Sequence, residues 1–65
     1  PPNATVTIDD QSIGPLDMVR RRGIALPEGP HRITVEAPGY LPWDRIVNAS
    51  DRPITLEVNL VQLPD

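Results

Sequence analysis

The chain of 65 residues contains no cysteine, so no disulfide can brace it and no thiol can serve as nucleophile or redox group. Lysine is missing as well: all six basic residues are arginine, a bias that points to a GC-rich genome. Against nine acidic residues these leave a net charge of −3, a balance that does not offer the basic surface a phosphate backbone needs. A nucleic-acid partner is therefore not expected. No apolar run approaches the roughly 20 residues that cross a bilayer, so direct membrane insertion is not expected either. A secretory leader is also absent, but a module excised from a longer protein would carry none, so compartment stays open on this ground. No window of about ten residues combines a 3.6-residue apolar period with freedom from proline and glycine, and no substantial helix is expected.

What the chain does have is proline, nine in all, and four glycines. A chain this short buries a small core, and prolines at compatible sites compensate by restricting the unfolded state. The sequence opens on Pro1-Pro2 and closes on Leu63-Pro64-Asp65. It reads as one module, residues 1–65, taken from a longer protein at proline-bearing linkers.

The run from Leu26 to Tyr40 is the most informative. Pro27-Glu28-Gly29 has a proline that presets φ and a glycine that can take the left-handed position, so it predicts a turn closing a hairpin between Ile24-Ala25-Leu26 and the next strand. From His31, Ile33, Val35 and Ala37 alternate with Arg32, Thr34 and Glu36, the period of a strand with one buried and one wet face. Pro38-Gly39 predicts a type II turn. Ala4 to Asp9 predicts the first strand, with Val6 and Ile8 inward, ended by a polar turn at Asp9-Asp10-Gln11-Ser12. Ile13-Gly14-Pro15-Leu16 starts a hairpin partner, and Asp17 to Gly23 reads as an extended loop or irregular edge strand. Trp43 to Asn48 predicts another strand, and Ile54 to Leu60, with Ile54, Leu56, Val58 and Leu60 inward, is the cleanest alternation of all. Val61 and Leu63 then break parity. They predict either a bulge that re-aims them or a sticky surface covered by a neighbouring domain. The fold class expected is all-β: a small antiparallel two-sheet sandwich, immunoglobulin-like or prealbumin-like.

This pattern resembles the PEGA domain, a small bacterial and archaeal β-module named for its Pro-Glu-Gly-Ala turn. Here Pro27-Glu28-Gly29 is followed by Pro30 in place of alanine. Leu26 before the turn, Gly29-Pro30-His31, the Ile33 and Val35 alternation and the closing Gly39-Tyr40 match the pattern. The segments from Ala4 to Asp10, Ile13 to Leu16, Trp43 to Val47 and Ile54 to Leu60 are similar to its other strands. The resemblance implies an extracytoplasmic setting, the periplasm or cell surface, within a membrane- or envelope-anchored protein. Such domains occur in surface-layer proteins and on the outer side of membrane-bound signalling kinases. It implies a non-catalytic spacer or docking unit whose partner is an envelope or surface protein, or a neighbouring domain of the same chain.

Reactive chemistry finds little support in the residues. His31, the sole histidine, lacks metal-ligand spacing and an activated nucleophile, so a structural strand histidine is expected, and with it no catalytic residue, no metal and no cofactor. Asp9, Asp10 and Asp17 lack the order of a calcium loop and read as solvated turn residues. Arg20, Arg21 and Arg22 are the candidate partner-binding residues, because guanidinium groups bind carboxylates and phosphates by paired hydrogen bonds; the plainer reading is a solvated loop paired with Asp17. Tyr40 and Trp43 are candidates for an alternative, stacking on a carbohydrate or peptidoglycan ring beside Asp44 and Arg45, if they are exposed rather than buried. Asn3-Ala4-Thr5 and Asn48-Ala49-Ser50 fit the N-glycosylation acceptor pattern, which carries little meaning in a bacterium.

Overall fold

A computed structural model of the chain describes residues 3–52 and 55–64. Ile54, expected to face the core, and the terminal Pro1-Pro2 and Asp65 lie outside the described residues. The first hairpin joins β1 (Thr5–Ile8) to β2 (Gln11–Pro15). Asp9 and Asp10 form its two-residue loop with φ of 50° and 67°, left-handed conformations that aspartate tolerates and that match the twist of the flanking strands. The register shifts between Val6 and Thr7, where Ile13 is the extra residue of a bulge.

A helix follows directly, α1 (Leu16–Arg22). The expected loop or irregular edge strand is thus corrected to a helix, a short one of seven residues in a chain where no substantial helix is expected. Leu16, Met18 and the arginines favour a helix. Pro15 at the N-cap and Gly23 just past the end confine it to seven residues, too short for its period to show. The Leu16 N–H donates to the Ala4 carbonyl at 2.9 Å, and the Gly23 N–H, at φ 71°, to the Val19 carbonyl at 2.8 Å. Leu16 and Val19, three residues apart on one face, pack on the core.

β3 (Gly29–Glu36) lies between β1 and β4 (Trp43–Ala49), giving an antiparallel sheet of order β2-β1-β3-β4. Ala37-Pro38-Gly39-Tyr40 turns as expected: the Tyr40 N–H donates to the Ala37 carbonyl at 3.1 Å with Gly39 at φ 82°. Ile24-Ala25-Leu26 forms no strand. Both sides of β3 are already paired, so a strand at that position has no edge to join.

Residues 55–60 do not enter the sheet either. Leu56, Val58 and Leu60 are half-buried and Thr55, Glu57 and Asn59 exposed, as the alternation predicts. No ladder forms over 55–60, however, and Val58 and Leu60 instead pack on the core. Only Gln62 bridges, to Tyr40. The fold is therefore mostly β, with a four-stranded antiparallel sheet and one short helix; the described residues do not form a second sheet. The core lies under one sheet face, where Ala4, Val6, Ile8, Val35 and Ala37 are buried. Val47 is buried on the same face.

The parity break at Val61 ends in a surface. The Leu41 N–H donates to the Val61 carbonyl at 2.7 Å and the Leu63 N–H to the Gly39 carbonyl at 2.8 Å. Pairing of this kind sets Leu41, Val61 and Leu63 on one side of the ribbon, all exposed.

Candidate functional site

The most tightly organised polar cluster centres on His31. The β1–β2 turn brings Asp9 beside the first residues of β3, so that Asp9 and Arg32 exchange hydrogen bonds: the Asp9 N–H donates to the Arg32 carbonyl at 2.9 Å, and the Arg32 N–H to Asp9 Oδ1 at 3.0 Å. His31 Nδ1 lies 2.5 Å from Asp9 Oδ2, and Nε2 lies 2.7 Å from the Pro27 carbonyl oxygen. Both partners accept and neither donates, so both are satisfied only when each ring nitrogen carries a proton. The Asp9 hydrogen bond, then the Pro27 carbonyl, accordingly raises the His31 pKa above its ordinary value, and the His31 hydrogen bond, then the Arg32 N–H, lowers that of Asp9. The His31 side chain is only 13% exposed. Held on both nitrogens, it staples the β1–β2 turn to the chain at Pro27; the hairpin turn expected at Pro27-Glu28-Gly29 is not formed, because Gly29 already pairs with Ala49 in β3 and only a bend stands at Glu28. Glu28, by contrast, points to solvent with no hydrogen bond among the described residues.

On the opposite, outer face of the sheet, the Arg32 guanidinium forms an ion pair with Asp44, donating through Nε at 2.9 Å and through Nη2, while Thr34 Oγ1 donates to Asp44 Oδ1 at 3.2 Å. Arg32 holds the Asp44 carboxyl below its ordinary pKa. Strand alternation separates Asp44 from Trp43, so Asp44 is not the polar neighbour that a sugar stacked on Trp43 would need. Arg45 is on Trp43's side: its guanidinium carbon sits 5.1 Å from the ring centroid, a cation–π contact that occupies one face of the indole. Both aromatics are half-buried, and they do not share a site. Tyr40 lines a hollow of about 400 Å³ with Asn3, Thr5 and Glu36, whereas Trp43 lies outside it.

Arg20, Arg21 and Arg22 occupy the last turn of α1, where cations complement the helix dipole. All are exposed, and none forms an ion pair among the described residues. The expected pairing with Asp17 is not made; Asp17 Oδ1 instead accepts from the Met18 N–H at 2.9 Å. Successive helical residues are turned by about 100°, so the guanidinium groups fan outward rather than forming one cleft. Arg20 alone lines a groove of about 920 Å³ beneath the sheet, between Val6, Val19, Val35 and Val58. No group of three or more metal-ligating side chains converges among the described residues.

Sequence reasoning missed both the Asp9–His31 and the Arg32–Asp44 pairs. Their members are separated by 22 and 12 residues, and only the strand pairing brings them together. The one local signal was two aspartates in a two-residue turn, which places a carboxylate at a defined point on the hairpin end.

A small β-rich domain whose polar clusters tie its turns and strands together is what fold and site define. The chain belongs to the PEGA domain family, whose model matches residues 1–64. A search of curated proteins and of solved structures finds no match.

Proposed function

We propose that this chain is a non-catalytic extracytoplasmic spacer and protein-docking module of a bacterial envelope or surface protein. PEGA membership supports the extracytoplasmic setting. No helix among the described residues is long and apolar enough to cross a membrane. The observation that carries the docking reading is the contrast in the charged groups: Asp9, His31, Arg32 and Asp44 are committed to holding the fold, while Arg20, Arg21 and Arg22 stand exposed and unpaired among the described residues. The partner is a carboxylate-bearing protein surface, met by guanidinium groups. Full compaction of the C-terminal segment into a second sheet, as in a two-layer sandwich, accords with its alternation. Capture of partners from an envelope extract is expected to fall several-fold for the Arg20→Ala/Arg21→Ala/Arg22→Ala variant, because surface charges act mainly on encounter and the rim of an interface. Unchanged capture would remove these residues from the interface.

A second reading, a carbohydrate- or peptidoglycan-binding module, is favoured by the Tyr40 hollow, where Asn3, Thr5 and Glu36 stand around one aromatic ring. In that reading Tyr40→Ala abolishes co-sedimentation with insoluble peptidoglycan and Trp43→Ala changes it little. Equal retention of both variants would exclude the hollow.

A further inference from the structure

The two edges of the sheet are built differently. At one edge, β2 is guarded: Pro15 has no N–H to offer, Gly14 sits at φ 149°, and the bulge breaks the register. At the other, β4 runs from Trp43 to Ala49 without proline, glycine, lysine or bulge, in unbroken register with β3 over seven pairs. Among the described residues, no strand or backbone hydrogen bond lies on its outer edge. Near its middle, on the face otherwise carrying Arg32, Thr34, Asp44 and Asn48, Ile46 is 64% exposed. An edge without proline, glycine or bulge and with an apolar residue at its centre is a template for pairing with another strand.

We infer that β4 pairs antiparallel with β4 of a second copy of this chain about a two-fold axis through Ile46. Of the registers near the middle of the strand, this one both opposes no like charges and sets Ile46 against itself. Centred on Ile46, the pairing sets Ile46 against Ile46 of the second copy, Asp44 against its Asn48, Arg45 against its Val47 and Trp43 against its Ala49, with no like charges opposed. Moved to centre on Arg45, it would oppose two guanidinium groups. Centred on Val47, it would leave Ile46 facing asparagine. The result is a continuous eight-stranded sheet across two copies that covers the exposed isoleucine, and a contact one strand wide makes a weak, concentration-dependent dimer.

Sedimentation equilibrium from about 10 μM to about 1 mM measures it. The wild-type chain is expected to shift from monomer to dimer in this range, and Ile46→Lys, which opposes two ammonium groups at the axis, to weaken the dimer about tenfold or more. Because Ile46 is exposed, Ile46→Lys keeps the wild-type thermal unfolding, which separates lost pairing from lost folding. Ile46→Cys supplies the only thiol in the chain, and mild oxidation is expected to link it into a covalent dimer far faster than Thr5→Cys, on the interior strand β1. A chain that stays monomeric throughout, a dimer that Ile46→Lys leaves intact, or equal cross-linking of the two cysteines overturns the inference. None of these outcomes touches the docking role of Arg20, Arg21 and Arg22, which is read from partner capture.

Discussion

Replacing Val35 with alanine is expected to lower the unfolding free energy by about 2 kcal/mol and the melting temperature by roughly 10 °C. Val35 is 1% exposed, the most deeply buried side chain of the core, and sits on the central strand opposite Val6 on one side and Trp43 on the other. Alanine removes two methyl groups and leaves a space that the paired strands cannot collapse to fill, because their backbones are fixed by ladders on both sides. A domain of this size has a small reserve of stability, so a loss on this scale is a large fraction of the whole. Val35→Thr keeps the volume but buries a hydroxyl among Val6, Ile8 and Ala37, and is expected to destabilise as well. Thermal and denaturant unfolding followed by circular dichroism reads both. A change below about 0.5 kcal/mol for either would mean that this face of the sheet is not a dry core.

The second large effect is a pH dependence set by the His31 staple. His31 has its pKa raised in the folded chain, so its contribution to stability is fully present below the ordinary value of 6.5 and is lost as pH rises through the raised value. Asp9 has its pKa lowered, so its contribution is present above the ordinary value of 3.8 and is lost as pH falls through the lowered one. The pair therefore stabilises most between 3.8 and 6.5, and the melting temperature is expected to decline on the alkaline side of that window. In His31→Gln the alkaline decline should flatten. In Asp9→Asn it should flatten too, although the Arg32 N–H keeps an acceptor in the asparagine carbonyl. Nuclear magnetic resonance titration of the His31 ring gives the independent check, and a midpoint at or below 6.5 would show that the staple does not hold the imidazolium.

Much of this was legible in the chain. Pro38-Gly39 specifies its turn because left-handed φ restricts residue type locally, and that turn is where expected; the polar turn expected over Asp9-Asp10-Gln11-Ser12 is confined to Asp9-Asp10, with Gln11 and Ser12 already paired in β2. The alternations through β1 and β3 identified Val6, Ile8 and Val35 as inward-facing. The seven-residue α1 was not legible, since Pro15 and Gly23 cut its period short and the surrounding strands suggested a loop. At the candidate sites, Arg20, Arg21 and Arg22 were visible as a charge run, but their place on a helix end was not. Tyr40 and Trp43 were visible as aromatics, but not that they would be kept apart, with Arg45 laid over Trp43.

The residues alone state what each side chain prefers toward water, where left-handed positions fall at Asp9-Asp10 and Gly39, and that no thiol or lysine chemistry is possible. Those properties follow from a residue and its near neighbours. Tertiary structure alone decided which segments would share hydrogen bonds. Leu56, Val58 and Leu60 carry the alternation of a strand and turn inward as it demands, yet they join no ladder: Val58 and Leu60 pack against the core, and the outer edge of β4 stays open among the described residues. Burial is a preference of each side chain, whereas a place in a sheet depends on an edge that the rest of the fold brings within reach. Whether an edge is free depends on every other strand.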